Sequence, residues 1–323
     1  MKRYRLLFPL LICLLLTACG GKKEAEGPSG IVYVPQAVPF SSSLDQPESA
    51  CVSGDGLCLL GAVFKDGPSG DRDLSLVRVP LEGGKAEALP NFCPVRLETD
   101  KEYESTGGYL RPGADGTIWL IENVYVVGSG VSPVLRQLDS EGNELFLFDG
   151  SGLKQHLGAE WIYDLWTVGA GTFFVNTGEA VVLLDEAGTV QATLEGLQLH
   201  YKRFVTLSDG RVGIPSAVQS PEGTVSQLRI IDTAAGDWAQ EAFALPFNAS
   251  CIQTGEGERL FYYTDGDALY AWRQGAEEPE RVMSWVESGV DANSLTAFSF
   301  LEDGLLAAVT NSGNSYAQKA HLD

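Results

Sequence analysis

The stretch LRPGADGTIWLIENV, residues 110–124, sets two apolar runs on either side of Asp115-Gly116. Asp-Gly between β-rich runs is a hairpin signal, because a tight turn needs the positive φ that glycine supplies without strain. The same arrangement recurs in CVSGDGLCLLGAV, LWTVGAGTFFVNT, FVTLSDGRVGIPSA, IQTGEGERLFYYT and FSFLEDGLLAAVT. The turn glycines are Gly56, Gly116, Gly171, Gly210, Gly257 and Gly304, spaced 60, 55, 39, 47 and 47 residues apart. A mean near ~50 residues is the period of a radially repeated β unit.

A second hairpin follows each of the first five at a regular distance: LSLVRVPLEGGKAEAL, PVLRQLDSEGNELFLF, AVVLLDEAGTVQATLE, QLRIIDTAAGDWAQEAF and ALYAWRQGAEEPERVM. Two hairpins make one four-stranded antiparallel sheet, and six such sheets in a ring make an all-β, six-bladed β-propeller. The two longest intervals leave room for a seventh blade. The sixth copy is short, since only YAQKAHLD follows FSFLEDGLLAAVTNSGNS, enough for a third strand and not a fourth. The Val-rich run IVYVPQAVPF, residues 31–40, has the length of the missing strand. An N-terminal strand completing the last blade leaves no exposed edge; packing along one side of the ring is the other course open to it.

Residues 1–30 read as an address. Lys2, Arg3 and Arg5 precede LLFPLLICLLLTA, residues 6–18, too short to span a bilayer but of signal-peptide length. Leu16-Thr17-Ala18-Cys19 resembles the lipobox of bacterial lipoproteins, which implies cleavage before Cys19 and lipid on its thiol. Residues 1–18 are then the signal peptide, 19–30 a lipidated flexible tether, and 31–323 the propeller, held at the cell membrane on its extracytoplasmic side. The 43 acidic and 22 basic residues give a charge of -21. Losing the signal removes three bases and no acid, which takes -21 to -24. Nucleic acid is excluded as a partner, since phosphate binding needs clustered Lys and Arg.

The lipobox, the run Val32-Tyr33-Val34-Pro35, the phrase Met283-Ser284-Trp285-Val286-Glu287 and the turn Phe300-Leu301-Glu302-Asp303-Gly304 together resemble the N-terminal propeller region of bacterial extracellular solute-binding lipoproteins. In that family a two-lobed solute-binding domain follows and serves an ABC importer. Here the chain stops at Asp323, so the resemblance implies either a stand-alone propeller or a shortened relative with an accessory role in uptake. No ligand-holding residue is carried over.

Chemistry-bearing motifs are few. His156, His200 and His321 lie far apart, and neither a nucleophile elbow, a phosphate loop nor metal-ligand spacing occurs. The loop from Asp66 to Asp73 misses the EF-hand pattern and reads as solvated. No metal or cofactor is expected, and the chain reads as a non-enzymatic, monomeric binding module. A carbohydrate-active propeller enzyme working through an acid pair is the third class, though 43 acids make chance pairs unavoidable. Cys51 and Cys58 flank the first turn. Export permits a disulfide there, while a turn shifted by one residue would point the thiols apart. Cys93 and Cys251 read as buried thiols.

Strand direction alternates, so the loops between second and third strands share a face with the crossovers between blades. Both sets read as long, as in NVYVVGSGVSP and SAVQSPEGTV. That face is the expected binding surface, with Asp71, Asp73, Tyr103, Tyr125, Trp161, Tyr201, Trp285 and Glu287 as its candidates. Aromatics mixed with carboxylates suit a glycan or small solute, a peptide or a basic protein partner.

Overall fold

The computed structural model describes residues 33–38, 40–54, 56–64, 72–95, 103–169, 171–195, 197–221, 223–249, 252–255, 260–263, 268–284, 295–301, 304–311 and 314–322. Its hairpin turns carry φ of +59 at Gly54, +76 at Gly116, +74 at Gly171 and +85 at Gly210. A Cβ would clash in that region, which is why glycine punctuates each repeat. In the first copy the left-handed residue is Gly54, and Gly56 already belongs to the following strand.

Strands β1 (Tyr33–Val38) and β2 (Phe40–Ser41) come first. Sheet one holds β3 (Gln46–Ser53), β4 (Gly56–Phe64), β5 (Arg72–Pro80) and β7 (Glu87–Ala88), while β6 (Gly84–Lys85) pairs in parallel with β2. Sheet two holds β8 (Tyr103–Pro112), β9 (Ile118–Val126), β10 (Gly130–Leu138) and β11 (Glu144–Asp149). A short helix, α1 (Ser151–Leu157), leads to sheet three: β12 (Asp164–Thr167), β13 (Thr172–Asn176), β14 (Val181–Asp185) and β15 (Val190–Leu194). Sheet four holds β16 (Val205–Thr206), β17 (Val212–Ser220), β18 (Gly223–Asp232) and β19 (Asp237–Ala244). Sheet five holds β20 (Ile252–Thr254), β21 (Leu260–Tyr263), β22 (Ala268–Trp272) and β23 (Glu280–Ser284). Finally β24 (Leu295–Leu301), β25 (Gly304–Asn311) and β26 (Asn314–Leu322) form sheet six with β1 as its fourth strand. β1 runs antiparallel to β26, from Tyr33 opposite Leu322 to Val38 opposite Ala317, as the short sixth copy requires.

The fold is thus all-β, built of four-stranded antiparallel sheets with one short helix among the described residues. The extra length of the two long intervals goes partly into β6 and α1, and no additional four-stranded sheet appears among the described residues.

Packing follows from the two-residue side-chain period of a strand. On β9, Ile118 and Leu120 face sheet one and join Cys58, Leu60 and Leu76, whereas Trp119 and Ile121 face sheet three and join Phe173 and Val175. Trp119 fills that second interface, its ring 5.7 Å from Phe146 and 6.0 Å from Phe173. Phe174, one residue on, turns the other way to Val212 and Ile214 of sheet four. Leu228 and Ile230 meet Leu260 and Trp272 of sheet five. Leu57, Leu59, Val77 and Val79 cover the remaining face of sheet one, and β24 runs beside β3 while β1 runs beside β23. Each sheet therefore lies between two others. Second strands buried on both faces read as continuous apolar runs, such as GLCLLGAVF of β4, while outer strands such as β19 stay largely exposed and carry the charge.

The expected loop asymmetry needs correcting. NVYVVGSGVSP is a tight turn that closes Val126 on Gly130, and SAVQSPEGTV closes Ser220 on Gly223. Turn residues at Gly128-Ser129 and at Pro221 let the strands run on further than loop-like composition suggests. The crossovers between sheets are long as expected, while the connection from β4 to β5, residues 65–71, lies outside the described residues.

Candidate functional site

The first strand of each sheet, β3, β8, β12, β16, β20 or β24, pairs on one side only. Its free edge needs partners. Side chains supply them from sheet to sheet. The Leu110 N–H donates to Ser49 Oγ at 2.9 Å, and Ser53 Oγ donates to the Gly116 carbonyl at 2.9 Å. Arg111 donates through Nε and Nη2 to both oxygens of Asp164, and through Nη2 to the Phe204 carbonyl at 2.9 Å. Phe204 N–H returns a bond of 2.6 Å to Asp164. Trp166 Nε1–H reaches Thr206 Oγ1 at 3.2 Å, and the Thr254 hydroxyl reaches the Thr206 carbonyl at 2.7 Å. Sheets one to five are stitched along one line.

That line borders a cavity of about 260 Å³. Its walls come from β3, β8, β12, the segment entering β16, and β20, so five sheets contribute. Polar groups there include Arg111, Arg203, Thr206, Gln253 and Thr254. Asp164 is 1% exposed and accepts from two Arg111 nitrogens and the Phe204 amide, so its charge is neutralised where it stands.

Arg203 differs from Arg111. Its guanidinium lies 5.5 Å from the Tyr109 ring centroid, a cation–π stack, and it makes no ion pair among the described residues. Tyr163 stands edge-on to Tyr201, with centroids 5.0 Å apart, and to His200 at 5.4 Å. Glu179 Oε1 is 3.5 Å from His200 Nε2. Burial raises the pKa of Tyr109, with Arg203 pulling it partly back. Burial, then Tyr201, Tyr109 and Glu179, raise that of Tyr163. Both phenols remain protonated donors at neutral pH.

The crossover 195–204 is fixed by the turn 177–180. The amide of Asn176, fully buried, donates to the carbonyls of Leu199 and Lys202, each at 2.8 Å, and Leu199 N–H donates to the Gly178 carbonyl at 2.8 Å. Gly178, at φ +91, lies so close that an added Cβ would stand 2.7 Å from Tyr163 and 2.9 Å from His200. The Lys202 N–H closes a turn on the Leu199 carbonyl at 3.0 Å, which puts Tyr201 at its third position with φ +61. A type II turn places glycine there, and a non-glycine residue so held carries strain of about 1–3 kcal/mol. Lys202, its pKa lowered by burial, points elsewhere, to Asn248 Oδ1 at 2.8 Å and the Ala249 carbonyl at 3.0 Å.

Of the residues singled out in the sequence, Tyr201 joins this cluster, 66% exposed. Tyr125 and Trp161 are exposed and make no ring contact among the described residues. Asp73 sits half-buried on β5 opposite Val63. Tyr103 starts β8. Asp71, Trp285 and Glu287 lie outside the described residues, as do Cys19 and the tether. Tyr109, Tyr163 and Arg203 were missed. A signal existed: aligned on the turn glycines, Tyr109 and Arg203 both stand seven residues before their glycine and Tyr163 stands eight before.

Cys51 and Cys58 stand opposite each other across the hairpin, as expected, and are thiols in this structure. Two residues separate the closing pair Ser53 and Gly56. Alternation then puts Cys51 and Cys58 at a hydrogen-bonded position, with the two thiols in contact. The Cys58 thiol, as hydrogen-bond partner, and then burial push the Cys51 pKa up, which keeps it unreactive. Cys93 is exposed rather than buried, and Cys251 lies outside the described residues.

No protein-family model matches this chain, and no curated protein matches it. Among solved structures it is similar to a bifunctional GH43-CE protein of Bacteroides eggerthii, at 12% identity and a TM-score of 0.42, over 78% of this chain and 36% of that one. It is similar also to a protein of unknown function from Bacteroides caccae, at 13% identity and a TM-score of 0.42, over 79% and 82% of the two chains. The chain therefore spans about a third of the length of the first.

Proposed function

We propose that the protein is a six-bladed β-propeller lipoprotein that holds a small ligand at its axis without transforming it. The observation that carries this is the cavity bounded by the first strands of five sheets, with polar groups converging from each side. Cavities of this kind, apolar in part and with a few fixed polar groups, are where small ligands bind. Sheet six, completed by β1, closes the ring around it. None of the described lining residues is Asp or Glu, and Asp164 beside it is bound up with Arg111. Glycoside hydrolysis needs two working carboxylates about 5–9.5 Å apart, so the surroundings favour holding over cleaving. This reading centres binding on the cavity rather than on the outer loops, with Tyr201 in the cluster that adjoins its Arg203 wall.

Two experiments test this. Sugars, sugar acids, amino acids and dipeptides are screened for a rise in melting temperature, which a ligand at about 100 times its Kd supplies through ~2.7 kcal/mol of linkage. At least one stabilises the protein, and Gln253→Trp, which fills the cavity, removes that effect while the fold persists. A panel without effect, or stabilisation that Gln253→Trp leaves intact, rejects the axial role. Separately, Cys19→Ala moves the protein from the membrane fraction to the soluble fraction, since the acyl chains supply the anchoring. Membrane attachment that survives the change rejects the lipid anchor.

A further inference from the structure

We infer that the ligand is a monoanionic sugar acid of the hexuronate class, its carboxylate gripped by Arg203; this rests on the axial binding role proposed above. Charge comes first. Two guanidiniums line the cavity, but Arg111 already faces the Asp164 carboxylate, so it adds no net charge. Arg203 faces no acid among the described residues and hydrogen-bonds to none of them. A half-buried guanidinium without a counter-ion is costly, and a bound carboxylate repays it with two parallel, charge-assisted bonds. One guanidinium with no ion pair among the described residues, in a chain of net charge -21, matches one negative charge, so a carboxylate fits better than a phosphate dianion.

The rest of the cluster describes the remainder of the ligand. Tyr109 stacks on the guanidinium, Tyr201 and Tyr163 continue the cluster beside the cavity, and none of the three hydroxyls bonds to another described residue. Protonated phenols both donate and accept, which is what ring hydroxyls require, and their faces take the C–H side of a sugar. The cavity that Arg203 lines, at about 260 Å³, is below the ~300–1,000 Å³ that drug-sized molecules occupy and suits a single ring. Tyr201 sits in a left-handed turn position that glycine would take without cost. Backbone strain of this kind collects where a side chain is held ready for a ligand.

The test titrates the full chain, purified in detergent, with D-glucuronate and D-galacturonate, their methyl esters, D-glucose, D-galactose and glucose 6-phosphate, by calorimetry. At least one free uronate binds, its ester and the neutral sugar bind at least about 10-fold more weakly, and Arg203→Ala weakens the uronate by about 10- to 100-fold. Tyr109→Phe and Tyr201→Phe each cost a smaller factor. Far-ultraviolet dichroism checks that Arg203→Ala is folded; should it not be, Arg203→Lys, which keeps the charge and loses the fork, with the ester comparison on the unaltered protein, decides instead. Equal affinity for acid and ester, or uronate binding indifferent to Arg203, overturns the carboxylate grip. If no uronate binds while another compound stabilises the protein in a Gln253-dependent way, the sugar-acid class falls and the axial role stands. If a uronate binds but Gln253→Trp does not disturb it, both fall.

Discussion

Arg111→Ala lowers the melting temperature by roughly 6–15 °C, the equivalent of about 3–5 kcal/mol for a buried pair broken from one side. Asp164 is 1% exposed, and Arg111 supplies two of the three hydrogen bonds its carboxylate accepts. Without the guanidinium a negative charge remains in the interior with the Phe204 amide as its support. The same change releases the Phe204 carbonyl and so uncouples sheets two, three and four at their inner edges. Asp164→Ala costs less, because the Arg111 side chain is 21% exposed and can turn to water. The double replacement Arg111→Leu with Asp164→Leu recovers most of the loss, since a buried pair is close to neutral against apolar residues of like volume. Thermal melts of the three variants complete a double-mutant cycle. A shift under about 2 °C for Arg111→Ala would show that the pair does not hold the sheets.

Replacing residues 33–38 by a Gly-Ser run of equal length lowers the melting temperature by roughly 6–18 °C. The segment contributes six paired residues to β26, and at ~0.5–1 kcal/mol per pair, net of ordering, the loss is about 3–6 kcal/mol. It also uncovers the edge of a nine-residue strand, which makes the variant prone to association. A synthetic peptide of residues 31–40 added in trans restores part of the loss, because an extended peptide can add to an open edge. A melting temperature unchanged by the replacement would mean that the pairing contributes nothing to stability.

The fold was legible because each hairpin obeys a local rule. Left-handed φ at a turn demands glycine, and strands buried on both faces demand unbroken apolar runs, so Gly116 and GLCLLGAVF declare themselves without any knowledge of their neighbours. Even the short last copy was informative, since a sheet lacking one strand asks for a partner from the other end. Loops were less legible: VVGSGV and SPEG look polar and open, yet their glycines close tight turns. The cluster was hardest. Tyr109 lies on β8, while Tyr163 and Arg203 precede β12 and β16, so they come into one cluster only after the sheets are stacked. No motif of adjacent residues links them; only their shared offset from the turn glycines does. Tyr201 was noticed as a loop aromatic, but its strained backbone is invisible in one-letter code. The thiol pair was placed correctly, because register alone fixes who stands opposite whom.

The pairing of Tyr33 with Leu322 also sets an order of events in time. Among the described strands β1 is made first and its partner β26 last, so the first of them made is among the last placed. Nearly the whole chain is the loop that this step must close, and the entropy of closing a loop grows only slowly, as ~1.5RT ln n. Closure is therefore slow more than costly, because contacts so distant in sequence form late. Until then β1 travels as an unpaired extended segment and β26 as an uncovered edge, open to a neighbouring copy's β1. Two nascent copies held close together can exchange first strands, which predisposes this architecture to strand-swapped dimers during synthesis.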